Sequence, residues 1–72
     1  MDTQIKPLIA RVPVIRFHQR LKHGWQHSST AEAYDTKAWD AQDRKWIDTL
    51  LASGDTVLTV GNIMYELQWK ST

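Results

Sequence analysis

The chain contains no cysteine, which excludes disulfide staples and thiolate zinc sites together. No apolar run approaches the roughly 20 residues that a membrane-spanning helix needs. The opening Met1-Asp2-Thr3-Gln4 lacks the charged-then-apolar layout of a secretory signal, so the expected compartment is the cytoplasm. Three glycines and two prolines are present, and they build neither a phosphate-cradling loop nor a Gly-x-Ser-x-Gly elbow. Repeats, low-complexity stretches and linkers are missing too. The 72 residues therefore read as one domain, residues 1–72, near the size at which a single hydrophobic core becomes marginal.

What is present in quantity is aromatic surface. Trp25, Trp39, Trp46 and Trp69, with Tyr34, Tyr65 and Phe17, can each bury roughly 150–250 Å². Charge is nearly balanced over the chain but not along it. Residues 1–28 hold Lys6, Arg11, Arg16, Arg20 and Lys22 against Asp2, and all three histidines. Residues 29–72 hold Lys37, Arg44, Lys45 and Lys70 against Glu32, Asp35, Asp40, Asp43, Asp48, Asp55 and Glu66. Such an asymmetry marks either an anionic partner for the basic half or mutual neutralisation across the fold.

The C-terminal segment Thr56–Lys70 has the pattern of a β-hairpin. Thr56–Val60 and Ile63–Lys70 flank Gly61-Asn62, and glycine first suits a type II′ turn, which needs positive φ at that position. The turn pairs Val60 with Ile63, Leu58 with Tyr65 and Thr56 with Leu67. One face then carries Leu58, Val60, Ile63, Tyr65, Leu67 and Trp69, and a slip of one residue would turn that set into water.

Upstream, Ser29-Thr30-Ala31-Glu32 has capping-box form, and Gly54 is a natural residue to follow a helix end. Residues 30–53 are expected to be one long helix, or a short helix kinked into a longer one near Asp35–Asp40. Trp39, Trp46, Ile47 and Leu50 fall on one stripe at helical spacing, and in a continuous helix Asp43 would interrupt it. A break removes the conflict, because Asp40 then caps a second helix and Asp43 takes its N3 position.

The segment Pro7–Lys22 fits two structures. Ile15-Arg16-Phe17-His18-Gln19-Arg20-Leu21-Lys22 alternates almost strictly, and Ile9, Val12, Val14 and Ile15 are β-branched, which favours a strand with Pro13 at an edge or bulge. Val14, Phe17, Leu21 and Trp25 also stand at helical spacing. Gly24–Ser29 reads as a loop. The expected fold is a small α+β domain, β-α-β-β, with a three-stranded antiparallel sheet packed on one long or kinked helix and ending in the hairpin. The alternative is three helices plus a hairpin, which would look like a winged helix.

No residue pattern names a reaction. His23 and His27 are four apart, but Gly24 and Ser28-Ser29 put them at a loop, which makes a weak metal site. His27 beside Ser28 and Ser29 is not a triad, and Ser29 is explained as a cap. Neither enzymatic activity nor a cofactor or metal is expected. The basic segment from Arg11 to His27 carries the functional signal: on a strand, Arg16, His18, Arg20 and Lys22 would line one face, with Trp25 close by. Arg11, Arg16, His18, Arg20, Lys22 and Trp25 are accordingly the candidate partner contacts, since Trp and Arg dominate interface energetics.

The expected function is stoichiometric contact with an acidic protein surface, as in small regulators or inhibitors of phage or other mobile-element type. Nucleic-acid binding by the same surface is the alternative. The overall charge is far from the strongly basic balance of such proteins, and a winged-helix recognition helix would carry Asp40, Asp43 and Asp48 towards phosphate. A homodimer paired through an edge strand is a third arrangement.

Overall fold

The computed structural model describes residues 11–71. They form β1 (Arg11–Leu21), β2 (Gly24–Glu32), α1 (Ala41–Ser53), β3 (Val57–Val60) and β4 (Ile63–Ser71). All strand pairs are antiparallel, in the order β2-β1-β4-β3. The sheet is thus two hairpins joined along their inner strands, β1 and β4, with α1 as the connection between them. The class is α+β as expected, but the sheet has four strands rather than three. The three-helix alternative fails because β1 is a strand; the part of that segment before Arg11, with Ile9, lies outside the described residues.

The β3–β4 hairpin follows its turn chemistry. Gly61 has φ 59° and no non-glycine residue among those described has positive φ, the sign pattern of a type II′ turn. Val60 pairs with Ile63 and Leu58 with Tyr65, and Leu67 N donates to Thr56 O at 2.8 Å.

Pro13 sits in an inner strand, at neither the edge nor the bulge expected of it, since the irregularity of β1 falls between Phe17 and His18. Its carbonyl accepts from Ala33 N at 2.8 Å, so its nitrogen faces the β2 side as well. The ladder with β2 starts only at Val14↔Glu32. The missing N–H therefore falls where β2 has already ended.

Residues 24–40 depart furthest from the expected structure. Gly24–Glu32 is strand β2, neither loop nor helix start, and the Ser29–Glu32 capping box caps nothing. Lys22 and His23 form a two-residue turn, and the positive φ needed to bring the chain back is carried by the next residue, Gly24, at 109°. Beyond β2 the chain turns through Asp35, whose Oδ1 accepts from Lys37 N at 2.9 Å. Trp39, expected on the helix, precedes it: its ring is buried and its Nε1 donates to Glu32 O at 2.9 Å. The anticipated break is where the helix begins. Asp40 is its N-cap, with Oδ1 accepting from Asp43 N at 2.9 Å, and Gly54 closes it at φ 81°.

The core lies between α1 and one face of the sheet. Ile15, Ala33, Trp39, Ile47, Leu50, Tyr65 and Leu67 form one buried cluster, with Phe17, Ala31, Trp46, Leu51, Leu58 and Ile63 packed against it. Phe17 ties the aromatic rings together, 5.3 Å from Tyr65 and 6.3 Å from Trp39 between centroids. Tyr65 is completely buried, and a phenol there needs a partner for its hydroxyl. Asp43 provides it: the hydroxyl donates to Asp43 Oδ1 at 2.6 Å. The acid that seemed to spoil the apolar stripe is the polar end of the core.

Two stability predictions follow from these contacts. Asp40→Ala removes the cap and should lower the unfolding free energy by about 1 kcal/mol, read as a lower urea midpoint with unchanged slope. Burial, and then the neighbouring Asp43 carboxylate, raise the Tyr65 pKa well above its ordinary value. The unfolded chain ionises this phenol near pH 10 while the folded chain holds it neutral. Stability should therefore be unaffected by this group below about pH 10 and fall by about 1.4 kcal/mol per pH unit above it. Tyr65→Phe should abolish that decline, whereas Tyr34→Phe, at a residue 63% exposed, should leave it in place.

Candidate functional site

Among the described residues the helix covers one face of the sheet and no element covers the other. Side chains alternate along a strand, so Ile15 and Phe17 turn to α1 while Arg16, His18 and Arg20 turn to the open face. Register then assigns their neighbours. Arg16 lies opposite Thr30 on β2 and Glu66 on β4, His18 opposite His27 and Met64, and Arg20 opposite Trp25. The ladder expected from the alternation in β1 is present as a row of side chains with partners on both sides.

Glu66 organises the middle of this row. Its Oε1 lies 3.1 Å from His18 Nε2 and 3.9 Å from Arg16 Nη1. The His18 side chain is mostly covered, whereas Arg16 and Glu66 keep about a third of theirs in solvent. Partly exposed pairs of this kind contribute about 0–1 kcal/mol, so the contact positions groups more than it stabilises the fold. The His27 ring stands edge-on to His18 with centroids 5.5 Å apart, and its Nε2 pairs with Thr30 Oγ1 at 2.6 Å. At the Arg11 end of the face, Val14 is buried between Glu32 and Gln68 in the register.

The tip of the β1–β2 hairpin differs from the middle. Among the described residues Arg20 and Lys22 form no ion pair, and Trp25 is 41% exposed beside Arg20. The structure thus brings Arg16, His18, Arg20 and Trp25 onto one face, with Lys22 at the turn next to them. Arg11 does not join them. It is nine residues from Arg20 on β1, about 30 Å at ~3.3 Å per residue, and its odd register turns it with Ile15.

His27 and Thr30 belong to the same face but were hidden by reading Gly24–Ser29 as a loop. The signal for them was Gly24, which follows Leu21 at hairpin spacing. The other exposed tryptophan, Trp69, is on the helix-facing side of β4 opposite Pro13, beyond the end of the core. Among the described residues no three His, Asp or Glu side chains are grouped to hold a metal ion, and no helix is long and apolar enough to cross a membrane.

No protein-family model matches the chain, and neither a curated protein nor a solved structure does so.

Proposed function

We propose that the chain is a non-enzymatic binding module that acts by stoichiometric contact with an acidic protein surface, through Arg16, His18, Arg20, Lys22 and Trp25 on the open face of the sheet. The observation that carries this reading is the cross-strand Arg20–Trp25 pair. An exposed indole beside an arginine with no ion pair among the described residues combines the two side-chain types that most often anchor interfaces. A strand pair holds both with little freedom left to lose on binding, which lowers the ordering cost of association. The row behind them is partly neutralised by Glu66, so attraction to a carboxylate-rich partner is concentrated at the hairpin tip. A regulator or inhibitor working in the cytoplasm fits a domain of this size.

Nucleic acid would use the same cations. The open face, however, also carries Glu32 and Glu66 among them, and carboxylates placed there oppose a phosphate backbone. The two partners separate in one experiment: capture from a lysate of the native host, with and without nuclease, followed by measurement of affinity for what is recovered. A protein recovered in both lysates is expected. Trp25→Ala should weaken its binding by about 30-fold or more, the usual scale for an aromatic anchor, and Arg20→Ala should weaken it less. Recovery of nucleic acid alone, with affinity falling steeply with salt and indifferent to Trp25→Ala, would refute the proposal.

A further inference from the structure

The two edges of the sheet are unequal. β3 offers four residues, while β2 offers nine, with no proline or lysine and a single charge, Glu32, at its end. These are the residues with which sheet edges are usually blunted. The backbone groups that β2 turns outward follow from the hydrogen bonds. Ala33 N donates to Pro13 O, so Ala33, Ala31 and Ser29 face β1, and Thr30 and Glu32 face away. Arg20 N donates to Asn62 O, on the far side of β1, so its partner Trp25 faces away as well, and His27 with it. The irregularity between Phe17 and His18 places one extra residue on β2 at Ser28. The outward residues are therefore Trp25, His27, Thr30 and Glu32, in steps of two, three and two along the chain.

That spacing reads the same in both directions. We propose that β2 is the seam of a homodimer, in which the outer edges of two copies pair antiparallel about a two-fold axis between Ser28 and Ser29. In this register Trp25 meets Glu32 of the other copy and His27 meets its Thr30, so every outward N–H and C=O of the strand gains a partner. The bulge, which would spoil pairing with an ordinary strand, sits on the axis and is matched by its own image. Charge agrees. One end of β2 adjoins Arg20 and Lys22 and the other carries Glu32 and then Asp35, so an antiparallel pair sets basic against acidic at both ends. A parallel pair would set like against like. Both helices fall on one side of the joined sheet and both Trp25 side chains on the other. The dimer does not rest on the partner-binding reading, because it is tested on the purified chain alone.

The absence of native cysteine makes cross-linking clean. Trp25 and Glu32 are both exposed and seven residues apart on one strand, too far for a disulfide within a copy. The purified chain should sediment at twice its own mass at high micromolar concentration. Oxidised W25C/E32C should form a covalent dimer, whereas W25C or E32C alone should not. Thr30→Pro removes an N–H that faces away from β1, so circular dichroism should stay unchanged while the dimer is lost. A wild-type monomer throughout the concentration range overturns the proposal. So does a dimer that persists in folded Thr30→Pro, or single-cysteine variants that cross-link as efficiently as the double one. If Thr30→Pro unfolds, the cysteine comparison decides alone.

Discussion

Pairing β1 with β4 joins stretches of chain that are far apart in sequence: Arg11 meets Ser71 and Gln19 meets Ile63. Each hairpin forms from near neighbours, but this ladder closes a loop of more than forty residues, a non-local step that is entropically costly and slow to form. Everything packed under the helix presupposes it. Ile15 and Phe17 come from one hairpin, Tyr65 and Leu67 from the other, and only their registration side by side makes a surface on which Ile47 and Leu50 bury completely. The Tyr65–Asp43 bond then has a place to form, because Phe17 and Tyr65 are held as direct partners beneath the first turns of the helix. The same ladder aligns Arg16 with Glu66 on the opposite face, so the core and the charged row share one registration.

Where local chemistry decides structure, the sequence was readable. Gly61 and the alternation on either side of it prescribe one hairpin register, and Asp40 and Gly54 mark the helix ends because each satisfies a backbone requirement within a few residues of itself. β2 was not readable, for a physical reason. It is an edge strand with α1 seated chiefly over β3 and β4, so the core takes from it only Ala31, and Gly-Trp-Gln-His-Ser-Ser-Thr-Ala-Glu shows no alternation. Its strand character comes from the unpaired flank of β1, a tertiary influence that overrides a local capping-box pattern. Trp39 departs from the expected helix for a tertiary reason as well. Helical spacing to Trp46 was real, but the residue serves instead as a buried strut whose indole bonds the end of β2.

The candidate surface shows the same division. Alternation in β1 was enough to put Arg16, His18 and Arg20 on one side, and composition was enough to suspect Trp25. Which groups they meet depended on β2 being a strand. Only then does Trp25 stand beside Arg20 and His27 beside His18, and only then does Arg11 fall away to the far end. Glu66 falls on the face opposite the core because it alternates with Tyr65 and Leu67 along β4. Its choice of His18 as the nearer partner lies in side-chain packing.

The brevity of β3 sets a limit on growth. A sheet that adds copies through both edges propagates into a filament, whereas one that adds through a single edge stops when that edge is used. With only four residues in β3, the second edge is too short to nucleate another strand. Among the described residues, two chains joined at β2 would present only such stubs to solvent. Such a dimer would terminate, because among the described residues the longest unpaired strand edge of each chain would be consumed by the other, with no strand of comparable length left to recruit a third.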